Sequence, residues 1–189
     1  QSHLFVGLSL LYSKAASSQT LVAKGSSSIG DDLVDLVSAR LISVSETEAG
    51  EALAEAKIKQ MTGGDVLKGR PLYGSWLEFS IIGKIFLATN SLPQINNTDH
   101  GIWRRIQAIP FNRTFTAEQQ DKDLGIKLTA ELSGILNWAI KGCLDWQEQG
   151  LNPPQVVLDQ VSAYKTEMDS IAQFIEQECS LEADTRHSA

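Results

Sequence analysis

Cysteine and histidine are scarce in this 189-residue chain, which has two of the first and three of the second. Cys143 and Cys179 lie far apart in helix-like sequence, which suits small buried apolar side chains better than a disulfide or a metal site. His3, His100 and His187 form no ligand spacing, so a zinc site is not expected. No apolar run reaches the roughly 18 residues of a membrane span. No signal peptide is recognisable, because no basic segment precedes an apolar stretch and no cleavage pattern follows. A complete phosphate-binding loop, G-x-x-x-x-G-K-[ST], is also missing. The chain starts at Gln1 instead of methionine and is expected to be a piece of something longer.

What is present suits one globular domain or a domain with an appendage. Hydrophobic residues make up 42% and charged residues 21%, ordinary values for a soluble fold. The net charge of −7 is uneven. Residues 1–115 hold 11 Lys/Arg against 10 Asp/Glu, whereas residues 116–189 hold 5 against 13. That balance argues against the broad basic surface of a DNA-coating protein, but leaves room for a local basic element facing a channel.

Along the chain, Leu4, Phe5, Leu8, Leu11 and Tyr12 recur at helical spacing and predict a helix over 2–13. A Ser/Gly link, a short helix around Asp31–Val37 and a strand over 40–45 follow. Residues Glu51–Met61 are strong helix formers stopped by Gly63-Gly64. From Val66 to Phe79 the helical period disappears, and Gly69, Pro71 and Gly74 punctuate β-prone residues, which predicts a hairpin with a long tip. An apolar strand over 84–89, a polar loop to His100 and a third strand at about 104–109 come next. Beyond Phe115 the chain turns helical. Leu132, Ile135, Leu136, Ala139, Ile140, Cys143 and Leu144 form what reads as a core-facing stripe, ended by Gly150 and Pro153-Pro154. Helices at about 155–167 and 170–179 finish it. Strands interleaved with helices and then a helical block predict an α/β core, 1–115, followed by a helical region, 116–189.

Four groups of residues carry candidate chemistry. Glu46 and Glu48 follow the first strand, where an α/β sheet binds ligands at its carboxyl end. They can hold Mg²⁺ and polarise water, or they can be two solvated loop acids. Asn90 ends the next apolar strand; it can sense a γ-phosphate without neutralising the acid, or simply cap a turn. Arg104-Arg105, beside Ile102 and Trp103, can complete a neighbouring subunit's transition state or be strand-edge charge. Lys59, Lys68 and Arg70 surround the hairpin and can present cations to a DNA backbone, or the hairpin can be merely solvent-exposed.

Taken with Thr62-Gly63-Gly64-Asp65, Phe86-Leu87-Ala88-Thr89-Asn90, and Thr98 through Ile106, these residues resemble the superfamily 3 helicases of the phage- and plasmid-type primase–helicase family. The resemblance runs over roughly residues 20–180 and keeps its order and spacing. It implies an AAA+-type P-loop NTPase core with a parallel sheet, a β-hairpin insertion and a C-terminal helical region, here lacking the first strand and the phosphate loop. It places Glu46 and Glu48 in the Walker B motif, with Glu46 holding Mg²⁺ through water. Asn90 then matches sensor 1, Arg104 or Arg105 the arginine finger, and Lys59 through Arg70 the approach to a DNA-contacting hairpin. Family members are ATP-driven, usually hexameric rings that move on single-stranded DNA while mobile elements replicate, in the cytoplasm of a bacterial or archaeal host.

The departure lies at the start, where Gln1-Ser2 stands in the place of the loop's Lys-Ser. Either the chain is cut inside the motif, leaving Ser2 as its remaining nucleotide ligand, or glutamine replaces the lysine. Two rival readings stay open: a non-catalytic DNA-binding or oligomerisation module that kept the fold, and an unrelated α/β scaffold with surface acids and arginines.

Overall fold

The computed structural model describes residues 12–23, 31–45, 50–71, 73–96 and 100–179. Its centre is a three-stranded parallel sheet in the order β1 (Ser13–Ala16), β2 (Leu41–Ser45), β5 (Lys84–Ala88). The middle strand carries the packing. In β2, Ile42 and Val44 are fully buried and Leu41 and Ser43 half-buried, as expected of a strand flanked on both sides. Residues paired in register share a face. Ala16, Val44 and Leu87 therefore stand together, as do Ile42 and Ile85, and all five belong to the core cluster or pack on it. The opposite face carries Ala15, Ser43 and Phe86. Phe86 is 44% exposed, so β5 is less buried than its composition suggests.

Between β2 and β5 the chain makes helix α2 (Glu55–Gly63) and an antiparallel hairpin, β3 (Leu67–Gly69) with β4 (Leu77–Phe79). The hairpin is the one anticipated from its glycines and proline. Gly64 closes α2 in the left-handed conformation at φ 79°, which explains the stop at the glycine pair. Helix α1 (Asp31–Val34) precedes β2, and α3 (His100–Trp103) follows the loop after β5. Beyond them run α4 (Leu124–Ala130), α5 (Leu132–Gln149), α6 (Gln155–Met168) and α7 (Ser170–Glu178). None of the helices of the described residues is long and apolar enough to cross a membrane.

Several expectations are corrected. The helix anticipated over 2–13 lies almost wholly outside the described residues, and Ser13, at its end, begins β1 instead. Ser-Lys-Ala-Ala has no apolar alternation; its pairing with β2 makes it a strand. Helix α2 starts at Glu55, not Glu51, because the backbone of 51–54 is bonded to two other segments. Ala23 donates to Ala52 and Ala54 to Leu21, while Leu53 donates to Gln94 and Gln94 to Glu51, all at 2.8 Å.

No strand forms at 104–109. Ile102 and Trp103 are turned into the core by the single turn of α3, and Arg105 and Ile106 donate back to Ile102 and Trp103. The stripe on α5 does not face a core either. That helix has no buried residue, and Leu136, Ile140 and Leu144 are each about half exposed. Cys143 and Cys179 are exposed free thiols, not buried side chains.

Candidate functional site

Because β1, β2 and β5 are parallel, their carboxyl ends meet at one edge of the sheet, with Ser45 opposite Ala88. Beyond Ala88, the Thr89 hydroxyl donates to the Ser91 carbonyl at 2.7 Å and accepts from the Ser91 N–H at 3.3 Å. This local turn puts Asn90 at its crown, exposed, two residues past the strand. Glu46 and Glu48 continue the chain from Ser45 but lie outside the described residues, as does Ser2. The strands that lead to the acids and to the amide are neighbours with aligned ends. An arrangement in which β2 and β5 lay apart would have removed any shared site.

The loop after Asn90 is pinned from three sides. Gln94 is held through its backbone by Glu51 and Leu53. The Asn96 N–H donates to Oε1 of Glu55 at 3.0 Å, and Glu55 is buried at the start of α2. The Tyr164 hydroxyl, from α6, donates to the Pro93 carbonyl. Tyr164 also meets Trp103 edge-on, with ring centroids 5.2 Å apart and planes at 82°. Burial, and then the nearby Glu167 carboxylate, push the Tyr164 phenol well above its ordinary pKa, so it stays a neutral donor. The loop that follows Asn90 is thus held at Pro93, Gln94 and Asn96.

Sequence reasoning missed Glu55 and Tyr164. Glu55 gives no signal, since an acid in the first turn of a helix is ordinary. Tyr164 does, because Val157, Val161, Tyr164 and Met168 follow helical spacing and all pack into or against the core.

The arginine pair is split. Arg105 donates from Nε to the Thr62 hydroxyl at 3.1 Å and from its guanidinium to the Gly101 carbonyl, bracing α2 against α3. Arg104 is exposed. The cations around the hairpin are also unequal. Lys59 sits on α2, half-buried. Lys68 pairs with Glu78 across the ladder at 2.9 Å, and that hydrogen bond and charge hold its ammonium above the ordinary lysine pKa. The Arg70 guanidinium lies 5.7 Å from the centre of the Trp76 ring. Among the described residues no group of three or more His, Cys, Asp or Glu is placed to hold a metal ion. The carboxylates assigned to Mg²⁺ fall outside those residues.

Comparison with known proteins gives two relatives. A protein of Acanthamoeba polyphaga mimivirus named "Putative helicase L207/L206" is 28% identical over 167 residues, 79% of this chain and 17% of that protein. A protein of Frog virus 3 (isolate Goorha) named "Putative helicase 022R" is 27% identical over 150 residues, covering 70% of this chain and 15% of that protein. No family model matches the chain. The chain is thus related, distantly, to proteins named as helicases in large DNA viruses, and it spans about a sixth of their length. Its parallel sheet with helices is compatible with a P-loop-like core.

Proposed function

We propose that this chain is part of an ATP-dependent DNA helicase of the superfamily 3, primase–helicase type, which unwinds a phage, plasmid or viral genome during its replication. One observation carries the reading most: β2, which runs into Glu46 and Glu48, lies beside and parallel to β5, which runs into Asn90. That adjacency lets an acid and a neutral amide serve one nucleotide at the carboxyl edge of the sheet. The names of the viral relatives support the same reading.

Glu46 would hold Mg²⁺ through water, and Mg²⁺ would supply charge neutralisation at the phosphates. Glu48 orients the attacking water and takes its proton while the bond between the γ-phosphorus and the bridging oxygen breaks and ADP leaves. Asn90 donates to the γ-phosphate or to that water from its turn. Ser2 lies in the place of the phosphate loop's serine. Arg104 reaches the neighbouring subunit's nucleotide in a ring, six subunits being the family's usual number. Arg105, held by Thr62 and Gly101, sets the angle at which Arg104 is presented. The hairpin meets single-stranded DNA in the channel, in the cytoplasm of the infected or host cell.

The test is DNA-stimulated ATP hydrolysis by the natural polypeptide that contains this chain. Glu46→Gln and Glu48→Gln should each lower turnover by at least about a hundredfold. Mixing Arg104→Ala subunits with Glu48→Gln subunits should restore part of the activity, because the intact arginine of one completes the intact acids of the other. Absence of hydrolysis in the wild type would leave the non-catalytic DNA-binding module as the better account.

A further inference from the structure

The tip of the hairpin is built to show aromatic rings, and its charge is largely cancelled. From Asp65 to Phe79, Lys68 and Arg70 are matched by Asp65 and Glu78. Lys68 is already paired with Glu78, and Arg70 lies over Trp76. A strand of this charge has little to offer a phosphate backbone by electrostatics alone. What it offers freely is Tyr73, 98% exposed, and Trp76, 70% exposed.

The backbone holds Tyr73 outward at some cost. The Gly74 N–H donates to the Pro71 carbonyl at 2.8 Å, and Tyr73, just before it, takes φ 63°. That left-handed conformation is one that glycine normally supplies, and a bulky residue there is uncommon. Gly74 cannot be exchanged for a larger residue to relieve the turn, since an added Cβ would come within 2.6 Å of the Pro71 ring. The strained position therefore keeps a large ring in solvent, and strain of this kind gathers where a ligand is met. The Arg70 guanidinium against one face of Trp76 leaves the ring a cation-backed platform.

We infer that Tyr73 and Trp76 are base-stacking residues, which grip single-stranded DNA through its bases while Arg70 backs the Trp76 ring. This rests on the helicase reading above and adds to it that contact at the tip is mainly with π-faces, not phosphates. Stacking of this kind is sequence-tolerant, because every base has a π-face, and so suits an element that must pass along any strand. Lys68, tied to Glu78, then keeps the two strands of the hairpin together instead of contacting DNA.

The test uses the natural polypeptide containing this chain, with a labelled oligothymidine and the same backbone made abasic. The wild type should bind the base-bearing strand about tenfold or more tightly than the abasic one. Tyr73→Ala and Trp76→Ala should each weaken binding to the base-bearing strand by about tenfold and leave the abasic strand and the salt slope unchanged. Trp76→Phe should keep most of the affinity but abolish the quenching of tryptophan emission that oligothymidine produces. Both residues are exposed, so the variants should melt at the wild-type temperature, which separates lost contact from lost fold. Equal wild-type affinity for the two strands, or alanine variants that weaken both alike, would overturn the stacking role. DNA binding itself would still stand in that case, carried by phosphate contacts. No wild-type binding to either strand would sink both readings.

Discussion

The sheet half and helix α5 handle apolar residues in opposite ways. Around the sheet, Leu33, Leu36, Ile42, Met61 and Ile102 are all essentially without solvent contact and belong to one cluster, reached from α6 by Tyr164. Helix α5, 18 residues long, carries the apolar residues Leu136, Ile140 and Leu144 along one side, yet no residue on it is buried. Two kinds of helix thus leave the same α-helical region. Helix α6 serves the core and braces the loop after Asn90 through Tyr164, whereas α5 places no residue in the core cluster. The difference shows that an apolar stripe fixes a face but not its partner. The fold's cohesion in these residues, and the placement of the candidate site, come from the sheet half and α6.

Tryptophans offer the sharpest way to break that contrast. Trp103 is 6% exposed and Trp138 on α5 is 75% exposed. Trp103→Ala should destabilise by about 3–5 kcal/mol in denaturant unfolding. Trp138→Ala should stay within about 0.5 kcal/mol. Equal losses would mean that α5 is as firmly packed as the sheet.

Next in size is Gly83, just before β5. A Cβ there would sit 2.7 Å from the Ala39 carbonyl oxygen and 3.1 Å from Ile42, so backbone must move to admit it. Gly83→Ala should cost about 1–3 kcal/mol. Gly134→Ala on α5, where an added Cβ meets nothing within 4 Å, should be neutral or slightly stabilising by thermal melt.

The arginines should separate by a smaller margin. Arg105→Ala should lose about 1–2 kcal/mol because Thr62 and the Gly101 carbonyl lose a charged donor, while Arg104→Ala should leave stability unchanged. Arg104→Ala should instead affect only hydrolysis, so the pair splits into a structural and a catalytic effect.

Tyr164→Phe should cost about 1 kcal/mol at neutral pH by orphaning the Pro93 carbonyl. Its pH dependence is more telling. The phenol's pKa is raised in the folded state, so its contribution is fully present below the unfolded value of about 10 and is lost as pH rises above it. The wild type should lose stability above about pH 10, and Tyr164→Phe should lose less. A parallel decline in both would show that another group drives the alkaline limb.

Much of the candidate site's scaffold could be read from sequence. The hairpin announced itself through Gly69, Pro71 and Gly74, the stop of α2 through Gly63-Gly64, and the strands before Glu46 and Asn90 through their apolar runs. What stayed hidden depended on partners distant in the chain. Ser13–Ala16 becomes a strand only by pairing with β2. Residues 51–54 look helical but are bonded on both sides to 21–23 and 94. Residues 104–109 read as a strand until the core claims the neighbouring Ile102 and Trp103 and α2 claims Arg105. Local periodicity carries no record of such contacts.

The proposed site stands or falls on Asn90, whose turn follows the strand beside β2, reading the γ-phosphate. The measurement is single-turnover ATP hydrolysis by the natural polypeptide containing this chain, wild type against Asn90→Ala, with nucleotide affinity measured in parallel. ATP affinity should change by less than about threefold while the hydrolysis rate falls by about a hundredfold, as for a donor that acts mainly in the transition state. An unchanged rate, or loss of affinity with the rate intact, would contradict it.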